Sequence, residues 1–460
     1  MLRIGFQPAF RCLARHYSTA IKDIDVAIVG AGPAGLSLAA SLACHPATEH
    51  LKLMVVDGAD LSQLDKWAPT SFDNRVVSLT PNTRQHLIDI GAWTHIDSLR
   101  VQDYNEMRVW DGQSNARLNF DSDDVDQDAI AYMIELKNLQ RGILNRVREF
   151  PSVQIFDNSK LESIKPSRNG WPGDEWPIIH IPGHAFRARL LVGADGANSP
   201  VRHYAGIEST GWDYGMGLVA SLRLEYDDLS AIAWQRFLPT GPLAMLPMPD
   251  GHASLVWSTT AANANLLKSV SDEAFIALVN AGFRLEPVDL AYLFSLTDSD
   301  QIVDEVSWRL STVCDGLVDG TDVPLPVVHV EHKSRAGFPL KLRHADRYSA
   351  PRIALVGDAA HTTHPLAGQG LNMGQGDVQS LATVLQKAAE LGQDIGSQLV
   401  LDQYWGDRYI VNNALLGVID KLEKLYSVSA WPVVAARSWG LEILNEITPL
   451  KRFLMKQASK

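Results

Sequence analysis

The stretch that most narrows what this chain can fold into is Asp25-Val-Ala-Ile-Val-Gly-Ala-Gly-Pro-Ala-Gly-Leu-Ser-Leu-Ala. Val26 to Val29 is a short, largely β-branched apolar run that reads as a buried strand, and Leu36 to Leu42 reads as a helix. Between them Gly30, Gly32 and Gly35 permit, in turn, a tight turn, close backbone approach to a pyrophosphate, and close helix–strand packing. Pro33 suits the first helical turn, where its missing N–H has no partner to lose. A second strand, Leu51 to Val56, ends at Asp57, 22 residues after Gly35, where an acid that holds a ribose hydroxyl belongs. A lone GxGxxG is weak. Strand, glycines, helix, strand and acid in this order predict dinucleotide binding.

Two later stretches repeat the pattern of a buried strand ending in glycine and acid. Ile353 to Val356 is closed by Gly357-Asp358, so Asp358 falls at a strand's carboxyl end, where open α/β sheets bind ligands. Pro365 then fixes a turn, and Gly368 and Gly370 let backbone approach something closely. A helix is expected over Leu371 to Leu391, and the N–H groups at its start stabilise negative charge on a bound ring or phosphate. One carboxylate for a hydroxyl and one helix N-terminus for an anion are what a flavin needs. Leu190-Leu-Val-Gly-Ala-Asp195-Gly is the other repeat, followed by a helix start and Arg202. Arg75, entering Val76-Val-Ser-Leu79, is placed to approach a cofactor diphosphate, although spacing alone does not separate this from a surface ion pair.

Composition excludes several classes. At 460 residues the chain can build two or three interleaved domains. A net charge of −12 argues against non-specific nucleic-acid binding. Three cysteines without a CxxC give neither a disulfide framework nor a zinc site, and no metal-ligand spacing appears. No apolar run reaches the ~18 residues of a spanning helix, so any membrane contact is peripheral. Residues 1–22 carry Arg3, Arg11, Arg15 and Lys22 before the first acid, Asp23, with Leu2, Phe6, Phe10 and Leu13 on one helical face. This is the make-up of a mitochondrial presequence.

Along the rest, Asp121 to Asp128 is expected as a solvated acidic loop and Ile134 to Phe150 as an amphipathic helix. Trp171 to Phe186 is expected as hairpin or loop, and Tyr409 to Tyr426 and Ser438 to Phe453 as helices. Lys451, Arg452, Lys456 and Lys460 make the end basic, which suits anionic lipid or an acidic partner as well as a frayed terminus.

Together the GxGxxG, Gly-Ala-Asp195-Gly and Gly357-Asp358 stretches resemble the aromatic hydroxylases of the flavin monooxygenase class. Trp234-Gln-Arg-Phe-Leu-Pro-Thr-Gly-Pro-Leu-Ala-Met-Leu-Pro247, Arg335-Ala-Gly-Phe-Pro-Leu340 and His361-Thr-Thr-His-Pro-Leu-Ala-Gly-Gln-Gly-Leu-Asn372 narrow the resemblance to the ubiquinone-biosynthesis hydroxylases, over roughly Asp25 to the C-terminus. One departure is Glu135-Leu136 where that family often has Glu-Asn, which puts in doubt a polar flavin contact from position 136.

The resemblance implies a p-hydroxybenzoate hydroxylase-like α/β fold. A Rossmann-like FAD-binding domain (23–105, 128–207 and 342–394) would be interleaved with a β-sheet substrate domain (106–127 and 208–341), with C-terminal helices over 395–460. It implies that Gly30, Gly32, Gly35 and Asp57 hold the ADP half of FAD, that Arg75 and Asp195 lie near the diphosphate and Asp358 on the ribityl chain. Pro365, Gly368, Gly370, Leu371 and Asn372 would shape the ring site. It implies hydroxylation, by O2 through a flavin hydroperoxide, of ring carbon 5 of a polyprenylated 4-hydroxybenzoate-type phenol, with no catalytic base named. His361 and His364 are expected as turn and supporting residues rather than bases. Phe237, Met245, Leu246 and Phe338 are candidate walls for the polyprenyl tail, or ordinary core. Implied partners are a ferredoxin and ferredoxin reductase as electron donor and a coenzyme Q biosynthetic complex, with peripheral contact at the matrix face of the mitochondrial inner membrane. Two other readings stand beside it: an NADPH-dependent hydroxylase of a small soluble phenol, and a non-catalytic, flavin-stabilised scaffold subunit.

Overall fold

The computed structural model describes residues 20–67, 70–114, 116–167, 175–226, 231–313, 322–363 and 368–447, with 449, 451, 452 and 455. The presequence candidate up to residue 19, and His364 and Pro365, lie outside the described residues. In chain order, the elements that build the site begin with β1 (Ile21–Val29), α1 (Pro33–Ala43), β2 (Leu53–Val56), β3 (Val76–Leu79), α2 (Pro81–Asp89), β4 (Glu106–Asp111), β5 (Ala131–Glu135), α3 (Leu136–Arg148) and β6 (His184–Gly193). The second half adds β7 (Ser209–Leu224), β8 (Ile232–Leu238), β9 (Gly241–Pro247), β10 (His252–Thr259), β11 (Ala336–Ala345), β12 (Ile353–Leu355), β13 (His361–Thr362), α4 (Gln369–Glu390), α5 (Gln398–Ser427) and α6 (Trp431–Glu446).

The first sheet runs 349–350, β12, β6, β1, β2 and 153–156, and its central pairings are parallel. These strands are buried on both faces, which is why they read as continuous apolar runs. Their register decides where the loops emerge. Val56 pairs with Val29, Val29 with Gly193, and Gly193 with Leu355. Four strands therefore end side by side, and Asp57, Gly30, Asp195 and Asp358 leave from one edge. The repeated signal of strand, glycine and acid has a single geometric cause.

The second sheet is mixed, in the order β13, β11, β7, β10, β9, β8, β4 and 117–121. Helices at 261–269, 272–284, 287–293 and 299–313 cover one of its faces, burying Trp110, Trp234, Leu243 and Trp257 against Phe275 and Phe283. The other face meets a small antiparallel sheet (β3, β5 and 101–104) through Phe72, Tyr104 and Met133. It meets α5 and α6 through Val109, Phe237, Ile419 and Tyr426.

Some expectations shift. The helix expected from Ile134 starts at Leu136, because Ile134 and Glu135 pair with Val77 and Val76 as strand β5. The acidic segment after Asp121 holds a short 3-10 turn with Ser122 and Val125 buried. Residues 177–193 form a hairpin turning at Gly183, whose φ of +76° suits glycine; Trp171 to Asp174 lie outside the described residues. Both C-terminal helices start earlier than the sequence suggested; the second runs Trp431–Glu446, ending before the expected Phe453, which lies outside the described residues. Among the described residues no helix is long and apolar enough to cross a membrane.

The last helix is pinned by a buried ion pair. Arg437 donates to both oxygens of Asp111, at 2.7 and 3.0 Å, with side-chain exposures of 1% and 0%. The same guanidinium reaches the carbonyls of Leu425 and Val428 at the end of α5. Replacing Arg437 with Leu leaves a buried carboxylate unpaired, so a loss of about 3–5 kcal/mol is expected. The urea midpoint of R437L, with hydrogen exchange of α6, checks this; an unchanged midpoint would contradict it.

Candidate functional site

The three glycines of the first turn are set apart by their surroundings. A Cβ on Gly30 would lie 2.2 Å from the Ala194 carbonyl oxygen, and one on Gly35 2.0 Å from the Gly30 carbonyl oxygen. Both are therefore closed by backbone packing between β1, β6 and α1. A Cβ on Gly32 would meet nothing within 4 Å. The space there is open, as it must be if an incoming group is to reach the backbone. Asp57 braces the turn: its Oδ2 accepts from Ala31 N at 2.6 Å and its Oδ1 from Ala59 N at 2.7 Å. From α3, Gln140 donates to the Ala31 carbonyl at 2.7 Å.

Around this turn stand polar groups that the protein itself does not complete. Asp195 accepts from Val201 N through Oδ2 at 3.1 Å, while its Oδ1 is sealed from solvent without a partner. Burial pushes its pKa above the ordinary carboxylate range. Asp358 is exposed to solvent yet closely flanked by protein, and this partial desolvation raises its pKa too. Arg75 is exposed, and its guanidinium makes no ion pair among the described residues. Arg202 ties the two loops together by donating to the carbonyls of Ala359 and Ala197, at 2.8 and 2.7 Å.

The long helix α4 brings its first turn to the same place. Its N-cap is Gly368, at φ +63°, where a side chain would be strained. The first N–H groups of such a helix have no intrahelical acceptor and carry the positive end of its dipole. Asn372 is not available as a polar contact through its side chain. Its Oδ1 accepts from Thr80 N and Thr83 Oγ1, and its Nδ2 donates to the carbonyls of Ser78 and Gly368. It locks α4 onto β3 and α2, so only its backbone and that of Gly368, Gly370 and Leu371 remain to face a ring.

The structure separates the four tail-wall candidates. Phe237, Leu246 and Phe338 share the sheet face that looks towards α5 and the small sheet, by cross-strand register through Ala244, Val256, Val219 and Gly217. Met245 points the other way, 2% exposed, among Trp234, Trp257 and the helices behind the sheet. It does not line this space. Phe237 is stacked on Tyr426, with ring centroids 3.9 Å apart.

Sequence reading missed the residues that hold the site. Fully buried Asp377, on α4, accepts from Gly357 N at 3.1 Å, Arg408 Nε at 3.0 Å and Asn412 Nδ2 at 2.9 Å, and lies 2.5 Å from His361 Nε2. Burial alone would raise its pKa, but His361, Arg408 and Asn412 outweigh it and the net shift is downward. Buried Glu135 takes two hydrogen bonds from Arg100 and one from Asp73 N, fixing the loop that presents Arg75. No spacing rule announces either acid, because their partners come from other elements.

The residues present fit FAD: open backbone at Gly32 for a pyrophosphate, acids at the ends of adjacent strands for hydroxyls, and a helix N-terminus for an anionic ring. Comparison with known proteins agrees. The FAD binding domain family matches residues 23–290 and 320–417. The ubiquinone biosynthesis monooxygenase COQ6, mitochondrial, of Saccharomyces cerevisiae is 45% identical over 466 residues, covering 97% of this chain and 95% of that protein. The chain belongs to the ubiquinone-biosynthesis monooxygenase family. The human COQ6 monooxygenase is 38% identical, covering 97% of this chain and 95% of its own length. Among solved structures, p-nitrophenol 4-monooxygenase PnpA from Pseudomonas putida superposes with a TM-score of 0.67 at 19% identity, over 95% of this chain and 99% of that one, and shows the fold alone. As a member of the family the chain is an FAD-dependent monooxygenase.

Two predictions follow from this geometry. Gly32→Ala fills open space, so it is expected to leave thermal stability near wild type while flavin is lost; Gly35→Ala forces backbone apart and is expected to lower Tm as well. Flavin absorbance and a melting curve on each variant check the split, and flavin retention by Gly32→Ala would refute it. Burial also lowers the pKa of His86 and His344 to about 4. The unfolded value is about 6.5, so between the two the unfolded chain binds more protons. Their contribution is complete above the unfolded value and is lost as pH falls towards about 4. Urea midpoints between pH 7 and 4.5 are expected to fall, with a flatter profile for His86→Gln; parallel profiles would refute the assignment.

Proposed function

We propose that this chain hydroxylates ring carbon 5 of a polyprenylated 4-hydroxybenzoate-type phenol in mitochondrial ubiquinone synthesis. The observation that carries this reading is the placement of an open cofactor cradle and an apolar sheet face on either side of the first turn of α4. Met373, in that turn, packs on Leu342 of β11 and Leu416 of α5, so the helix start abuts the sheet. Reduced FAD, when bound, supplies activation of dioxygen.

The chain's own residues hold and shield. Gly30, Gly32, Gly35 and Asp57 hold the ADP half, Arg75 and Asp195 the diphosphate region, and Asp358 the ribityl chain. The backbone from Gly368 to Asn372 lies along the ring and stabilises negative charge on it. Pro365, outside the described residues, is assigned, from the sequence alone, a part in shaping the ring site. Phe237, Leu246 and Phe338 present apolar surface and exclude water. No residue of the site is assigned as a base.

The yeast and human relatives are named mitochondrial, which supports residues 1–22 as a presequence and a mitochondrial location. Peripheral membrane contact, assigned to the matrix face of the inner membrane, is supported by α6, where Trp431, Trp439 and Ile443 are 80%, 70% and 57% exposed. A ferredoxin chain as donor and membership of a coenzyme Q biosynthetic complex complete the proposal.

The test is a turnover assay with FAD-loaded protein, a short-tailed 3-prenyl-4-hydroxybenzoate and 18O2, with ferredoxin and its reductase or with NADPH. One labelled oxygen on ring carbon 5, with ferredoxin and not NADPH, is expected. Oxidation of NADPH on a small unprenylated phenol would favour the soluble-phenol reading instead, and no product with either donor would favour the scaffold reading.

A further inference from the structure

The sheet face opposite the first turn of α4 carries a side-chain amide to which the described residues give no hydrogen bond. Register places Gln235 of β8 beside Val109 of β4 and Ala244 of β9, with Val256 of β10 next to Ala244. Gln235 is 5% exposed, yet its amide has no hydrogen-bond partner among the described residues. It is also unlike the amide of Gln375, both ends of which are sealed in the core: neither end of Gln235 is sealed. Ala244, Leu246 and Val256 are only partly buried, so the sheet in front of this amide is not fully covered by protein.

With both ends open, such an amide is completed by water until a ligand with a matching group displaces it. The chemistry of the neighbours says what. Val109, Ala233, Ala244, Leu246 and Val256 surround the amide with apolar surface, with Ser254 beside Leu246, and none of these carries a charge. The nearby carboxylate, Asp111, is closed off by Arg437. No cation therefore stands at this spot to receive a carboxylate. An amide offers both an acceptor and donors, which match a neutral hydroxyl.

We propose that Gln235 is the head-group anchor: it receives the hydroxyl of the phenolic ring and holds that ring, uncharged, in front of the first turn of α4. This rests on the hydroxylase reading above. A ring carboxylate, where the substrate has one, points away from the sheet. Selectivity arises because a ring without the hydroxyl leaves the amide unpaired.

The experiment uses full-length, FAD-loaded protein and reads the flavin difference spectrum on titration with short-tailed 3-prenyl-4-hydroxybenzoate and with its 4-methoxy counterpart. Wild type is expected to prefer the free phenol by about three- to tenfold, the worth of one neutral hydrogen bond. Gln235→Leu, with unchanged flavin content, is expected to erase that preference by weakening phenol binding. Gln235→Glu, which keeps an acceptor, is expected to retain it. A Leu variant that still prefers the phenol, or a wild type that binds both ligands equally, would overturn the anchor alone. A wild type that binds neither would overturn the hydroxylase reading and the anchor with it.

Discussion

The carboxylate of Asp377 is the constraint on which the site depends. An unpaired charge at 0% exposure would be prohibitively unfavourable, so the fold must bring donors to it. It does so from the strand end at Gly357, from β13 through His361, and from α5 through Arg408 and Asn412. Three elements converge on one pair of oxygens, and a fourth, α4, carries them. Tyr404 of α5 adds a hydrogen bond to the Leu355 carbonyl, at 2.6 Å, on the strand that leads to Asp358. Asp358, proposed for the ribityl chain, thus follows a strand end whose position is set by a charge one layer behind it.

Much of the first sheet was legible because its physics is local. A strand buried on both faces must be apolar, a turn against a neighbouring strand must be glycine, and a ligand-facing end tolerates an acid. Residues 26–30, 190–195 and 353–358 state this three times. The face assignment of Met245 was not legible. Strand β8 is buried at all seven positions, so no alternation distinguishes the side covered by helices from the side facing α5. Nor was Asp377, whose partners lie 16 to 35 residues away, across two helices and a strand. The start of α3 failed for a third reason: Ile134 fits both a helical face and a strand, and cross-strand pairing with Val77 settles it.

The second sheet divides labour between its faces. Behind it, four helices and three tryptophans make a packed slab, within which the buried guanidinium of Arg236 donates to the Gly282 carbonyl. In front, coverage comes from separate pieces: the small sheet at one end, and α5 with α6 at the other, fastened by Arg437. A continuous slab behind and separate pieces in front suit a surface that must admit a bulky apolar molecule and still exclude water.

The parallel pairing of β6 with β12 carries a consequence for how the chain comes into being. On a ribosome, residues 184–193 emerge long before 353–355, so Leu191 to Gly193 spend that interval unpaired on one edge, while 184–187 are already covered by the 178–181 arm of their hairpin. Neither α4 nor the Asp377 network can form until the whole second sheet has been threaded between them. Assembly of the cradle is thus a late, long-range event, of the kind that folds slowly and exposes apolar edges. A chain interrupted anywhere before residue 355 would present that edge permanently, and would be a substrate for chaperones and proteases rather than a smaller flavoprotein.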